Sequence, residues 1–138
     1  MTSGTRTGPC GRQDRQQRDA TAFLDARIEA RLDLFEADLS TYGDLADCVG
    51  ELTLGILHDA RQVRAGIAGP VKLADDVRTR TLARRWSDRL TDAIALYRDR
   101  EQAVAIVVQL GGCLAYAAVH DAPLSRDTIA RAVRSLSE

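Results

Sequence analysis

The stretch AVAIVVQLGGCLAYAAVH, Ala103 to His120, is apolar nearly all round, with Gln109 as its one strongly polar residue before the final His120. A helix hydrophobic on every side is either buried or a membrane span. This one is too short and too rich in alanine and glycine for the ~20 predominantly apolar residues that a span requires. Its Val104-Ala105-Ile106-Val107-Val108 start favours strand, yet the chain offers no second strand candidate for it to pair with. The stretch is therefore predicted to be a helix, shielded at the centre of a bundle or at a subunit interface.

Outward from this helix, hydrophobic residues recur at intervals of three and four. Downstream, Asp121-Ala122-Pro123 stops it, and Ser125 is a predicted cap for a short helix with Ile129, Val133 and Leu136 on one side. Upstream, Leu82, Trp86, Leu90, Ala93, Ile94 and Tyr97 form the predicted buried face of a third helix, capped by Asp75 or Asp76. A second helix starts at the cap Asp44 and carries Leu45, Val49, Leu52, Ile56, Val63 and Ile67, closing at Gly66-Ile67-Ala68-Gly69-Pro70. Inside it Gly50 and Gly55 each cost about 1 kcal/mol relative to alanine, so they are expected to admit a close neighbouring helix. The first helix carries Leu24, Ile28, Leu32, Phe35, Leu39 and Tyr42 and ends at Gly43. Residues 1–18 lack an apolar period and read as a disordered tail, whose Arg6, Arg12, Arg15 and Arg18 are free to touch a partner.

These readings define an all-α chain: an antiparallel four-helix bundle with helices near 20–42, 44–66, 76–99 and 101–120, and a short fifth C-terminal helix at 125–137. The 138 residues divide into the tail 1–18 and a single domain 19–138. Because the fourth helix exposes more apolar circumference than three amphipathic stripes cover, a homodimer is expected.

Nineteen basic residues face twenty acidic ones, so the net charge of -1 exerts no long-range pull on a polyanion. A nucleic-acid site would have to be a local patch. Lys72 is the one lysine and asparagine is absent, a bias of GC-rich coding that makes arginine abundance uninformative about function. Cys10, Cys48 and Cys113 are widely spaced, without a Cys-x-x-Cys pair or a histidine at finger spacing, which excludes a zinc module. Neither His58 nor His120 has a glutamate three residues before it, as a di-iron bundle site needs. No metal or cofactor is expected. The start has no apolar leader and no membrane span is expected, so the expected location is the cytosol with free thiols.

Three groups of residues invite functional readings. Gln102, Gln109, Tyr116 and His120 fall in one narrow strip of the fourth helix, which is either its wet edge or, as Gln109, Tyr116 and His120, the polar lining of a ligand pocket. Asp59 interrupts the apolar seam of Leu52, Ile56 and Val63 and joins that pocket reading, although pairing with an arginine of another helix is preferred. Arg78, Arg80, Arg84, Arg85 and Arg89 oppose only Asp88 within 78–89, the strongest local charge. Matching of that flank with the acidic edge Asp25, Glu29, Asp33 and Glu36 of the first helix is preferred to phosphate contact.

The ending LSRDTIARAVRSL resembles the recognition helix of winged-helix repressors of the gluconate-operon type, where Ser-Arg-x-Thr-hydrophobic-x-x-Ala precedes a leucine. The resemblance covers about a tenth of the chain. It implies that Ser125, Arg126, Thr128 and Arg131 contact DNA; separately, by charge alone, the flank Arg78, Arg85 and Arg89 offers phosphate contacts to the same DNA-binding alternative. In that family an Ala-x-x-Leu-Gly-Val helix precedes the Ser-Arg by a short turn, whereas here Val119-His120-Asp121-Ala122-Pro123-Leu124 is longer and lacks the Gly, and no wing is expected after it.

No nucleophile beside a base, phosphate loop or pair of inward carboxylates is evident. The expected function is a non-catalytic, cytosolic interaction or regulatory protein acting on an unidentified protein partner. The alternatives are a DNA-binding regulator and a small-ligand-binding bundle.

Overall fold

The computed structural model describes residues 9–42, 44–65, 77–120 and 124–137. They form five helices and no strand: α1 (Pro9–Tyr42), α2 (Leu45–Ala65), α3 (Val77–Ala95), α4 (Arg100–His120) and α5 (Arg126–Ser137). The expected stops at Gly43, Gly66–Pro70 and Asp121–Pro123 lie outside the described residues, as do the Asp75/Asp76 cap, Ile67 and Arg6. The side chains of Arg12, Tyr42, Val63 and Arg78 lie outside them too.

Helix α1 begins at Pro9 rather than near residue 20, so residues 9–18, expected as disordered tail, continue the helix. Proline is suited to a first helical position, where its missing N–H is no loss, and the Gln- and Arg-rich run behind it is made of good helix formers. The apolar stripe begins later, with Ala20 and Leu24, and continues through Ile28, Leu32, Phe35 and Leu39, all buried as expected.

Helix α2 starts as its cap predicted, with the Asp47 N–H donating to Asp44 Oδ1 at 3.3 Å. It packs against α1, α4 and α5. Two buried rows, Leu45, Val49, Leu52 and Ala46, Thr53, Leu57, leave it apolar contact on several sides. The buried Thr53 hydroxyl is satisfied by donating to the Val49 carbonyl at 2.7 Å.

The α3–α4 turn corrects the expected end of the third helix. Helix α3 stops at Ala95, where the Tyr97 and Arg98 N–H groups both donate to the Ile94 carbonyl, at 2.9 and 3.0 Å. Asp99 then caps α4, accepting from the Gln102 N–H at 2.8 Å. The early stop swings Tyr97 out of the expected buried face, to 44% exposure.

Helix α4 is not enclosed on all sides. Ala103, Ile106, Leu110 and Ala117 bury one face against α2, α3 and α5, while Val104, Val108, Gly111, Gly112, Ala115 and Tyr116 are exposed on the other. The central position expected for α4 belongs to α2. Helix α5 sits between α2 and α4, with Ile129, Ala130 and Val133 essentially inaccessible. Burying each such Ile or Val contributes roughly 1.5–3 kcal/mol. Among the described residues no helix is long and apolar enough to cross a membrane.

Candidate functional site

Asp59 is fully buried on α2 and held by two arginines of α1. Arg31 donates from Nε to Oδ2 at 2.5 Å and from Nη2 to Oδ1 at 3.1 Å, and Arg27 donates to Oδ1 from Nε and Nη2 at 3.4 and 3.3 Å. The Arg31 hydrogen bonds outweigh burial and hold the carboxyl below its usual range, while Asp59 raises Arg31 in return. Gly55 makes this possible: a Cβ there would collide with the Arg31 guanidinium. The glycine admits an arginine side chain, where a helix backbone was expected. Gly50 does admit a neighbouring helix, since an added Cβ there would lie 2.8 Å from Arg126 Cγ and 3.3 Å from the Arg126 carbonyl oxygen at the start of α5. Asp59 thus pairs with arginines of another helix, the arrangement preferred from the sequence.

The acidic edge of α1 meets α3 within the same chain. Arg85 Nη2 donates to Asp25 at 2.6 Å and Glu29 at 3.3 Å, and the Trp86 indole N–H donates to Asp25 at 3.0 Å. Arg89 reaches Glu29 at 2.6 Å, Asp33 at 2.5 Å and Glu36 at 2.9 Å. Its guanidinium is held above its usual value, by Glu36 first and Asp33 next. The pairs ascend together along both chains, so α1 and α3 run in the same direction at this seam. Arg85 and Arg89 are thereby engaged by the carboxylates of α1, the pairing preferred from the sequence.

The C-terminal residues picked out by the repressor resemblance also have work inside the chain. Ser125 Oγ accepts from the Thr128 N–H at 3.1 Å and lies 2.8 Å from the Thr128 hydroxyl, an N-cap for α5. Arg126 donates to Glu51 at 2.7 Å, and Arg134 donates to Asp47 at 3.2 Å, fastening α5 to α2. Arg131 is exposed.

Of the residues expected to line a ligand pocket, Asp59 is held by α1, and the others lie along α4. Gln109 is half-buried and donates to Cys113 Sγ at 3.9 Å along its own helix, while the exposed Tyr116 and His120 rings pack at a centroid distance of 4.3 Å. Gln102 is half-buried and His58 exposed. Among the described residues, two clefts lie at the α1–α2 corner and are not lined by Asp59, Gln109, Tyr116 or His120. One, of about 220 Å³, is lined by Arg31, Leu34, Phe35, Asp38, Cys48, Glu51 and Leu52. The other, of about 300 Å³, shares Asp38, Cys48 and Glu51 and adds Asp44 and Asp47. Burial first, and then these carboxylates, push the Cys48 thiol up, which keeps it protonated and poorly nucleophilic. Sequence reading missed this corner, whose signal is the three- and four-residue spacing of Asp44, Asp47, Cys48 and Glu51. Among the described residues no group of three or more His, Cys, Asp or Glu is placed to hold a metal ion.

Among the described residues, the outer face of α4 and the turn before it hold most of the exposed large apolar side chains. Of the large apolar side chains exposed among the described residues, Leu96, Tyr97, Val104, Val108 and Tyr116 lie on α4 or in the turn leading into it, whereas Phe23 and Leu34 stand apart on α1. Between Glu101 and His120 the helix carries no charged residue. The exposed side of α4 is thus mostly apolar. No protein-family model matches the chain, and no curated protein is similar to it in sequence. The fold and this face define it as an all-helical protein with an uncovered apolar helix.

Proposed function

We propose that the protein is a non-catalytic helical interaction or regulatory protein that works through protein contacts in the cytosol, on an antiparallel four-helix bundle braced by α5. The exposed face of α4 carries this reading, since contiguous apolar surface of that extent marks protein interaction sites. The free thiols of Cys48 and Cys113 suit a reducing compartment. The nucleic-acid alternative is weakened by the carboxylate partners of Arg85, Arg89 and Arg126 and by the capping role of Ser125 and Thr128.

Affinity enrichment from the source cell's extract tests the proposal, with the wild-type chain and Val108→Lys as paired baits. A specific protein recovered by the wild type and reduced on the order of tenfold with Val108→Lys is the expected outcome. Recovery of nucleic acid with affinity falling steeply with salt would move the function to the DNA-binding alternative. A retained small molecule, seen as extra mass by native mass spectrometry, would move it to the ligand-binding one.

A further inference from the structure

We infer that a second copy of this chain covers the outer face of α4, the two α4 helices crossing antiparallel at Gly111 and Gly112. This rests on the reading of that face as a protein contact surface and names its occupant. The first observation is a contrast between glycines. Gly50 and Gly55 of α2 lie beneath the side chains of Arg126 and Arg31, whereas a Cβ at Gly111 or Gly112 would meet nothing within 4 Å. Two successive glycines are unfavourable inside a helix, and among the described residues no neighbour makes use of the space they leave. A neighbour arriving from outside does, because glycine lets a second helix approach closely.

The second observation is area. Leu96, Tyr97, Val104, Val108 and Tyr116 are 80, 44, 46, 68 and 50% exposed. Taking up to about 150–250 Å² for a large side chain, they present on the order of 600 Å² of apolar surface. Val104, Val108 and Tyr116 lie on α4 itself, and with Gly111, Gly112, Ala115 and the adjoining turn residues Leu96 and Tyr97 the apolar surface reaches the upper end of the patches left open on monomers.

The third is self-complementarity, which selects a copy of the same chain over a foreign partner. Reversing α4 about Gly111 and Gly112 sets Val108 of one copy opposite Ala115 of the other, large side chain against small, on both sides of the crossing. The same patch then serves both subunits, as a twofold dimer requires. The antiparallel order also opposes the two helix dipoles. A parallel pair would instead stack Val108 on Val108 and leave Ala115 facing Ala115.

Sedimentation of the full chain at micromolar concentration tests this, with far-ultraviolet dichroism as the folding control. The wild type is expected at twice 15.1 kDa. Val108→Lys and Ala115→Glu alter exposed positions and are each expected to keep the helical signal while weakening the dimer, on the order of a hundredfold for a charge buried unpaired. The double variant Val108→Lys/Ala115→Glu is expected to regain the dimer, because lysine and glutamate face each other only in the antiparallel order. A wild type at 15.1 kDa, or single variants that remain dimeric, overturns the inference, and a monomeric double variant overturns its antiparallel order. A monomeric wild type whose foreign partner is lost with Val108→Lys removes the second copy and leaves the protein-contact reading standing. A dimer that carries a bound small molecule does the reverse.

Discussion

Gly55 shows how one missing methyl organises a charge pair. Inside an ordinary helix glycine costs about 1 kcal/mol relative to alanine, and Gly55→Ala would recover that. It would also push the Arg31 guanidinium off α2, leaving Asp59 to Arg27 alone. Leaving a buried carboxylate short of donors costs about 1–3 kcal/mol, more for charged groups. The net expectation is destabilisation by about 1–2 kcal/mol, read as a lower urea midpoint with an unchanged slope. Asp59→Ala is expected to cost about 2 kcal/mol at neutral pH, less than the ~3–5 kcal/mol of a fully buried pair, because Arg27 and Arg31 retain access to water. The sign with pH follows from the depressed carboxyl. Its contribution is complete above the unfolded value of about 3.9 and is lost as pH falls through the lower folded value. The gap between wild type and Asp59→Ala in urea titrations should therefore narrow below about pH 4. A gap that widened in acid would mean that Asp59 is protonated in the folded chain.

At the scale of elements, legibility followed amphipathicity. Helix α1 and the inner faces of α3 and α5 could be read because their apolar residues hold a strict helical period, and the caps Asp44 and Ser125 because a side-chain oxygen satisfies an N–H that the first turn leaves unpaired. Ser125→Ala should cost α5 about 1 kcal/mol, visible in the urea midpoint, and leave Arg126 on Glu51. The pairing of Asp25, Glu29, Asp33 and Glu36 with Arg85 and Arg89 could be read for the same reason, since four-residue spacing lays charges in a line. Two features could not. The central place of α2 depends on Gly50, Gly55, Cys48 and Thr53, small residues whose burial is invisible to a count of large hydrophobics. The open face of α4 depends on where neighbours end, and an all-apolar helix carries no periodic mark of which side they take. The acidic corner around Cys48 is legible only in part: Asp44, Asp47 and Glu51 share one stripe of α2 with Cys48, whereas the approach of Asp38 from α1 arises from two helices meeting.

For the whole molecule, the position of α5 decides whether the chain folds as one unit. Although it is the shortest helix, it packs against both α2 and α4 and places Ile129, Ala130 and Val133 in the core alongside Val49 and Ile106. A helix merely docked on a finished four-helix bundle could be removed at small cost. Here removal of residues 125–138 would uncover the sides of α2 and α4 that α5 covers and strip Glu51 and Asp47 of their arginines. Two buried aliphatic side chains alone account for roughly 3–6 kcal/mol, comparable with the ~5–15 kcal/mol by which a domain of ordinary stability stays folded. The truncated chain 1–124 is therefore expected to lose its cooperative thermal transition, to bind a hydrophobic dye and to show reduced far-ultraviolet helicity. Adding back a peptide of residues 124–138 should restore the transition in a concentration-dependent way, because α5 then stabilises by mass action. A truncated chain that melted cooperatively with the wild-type midpoint would show instead that α1 to α4 form a self-sufficient bundle and that α5 is an appendage.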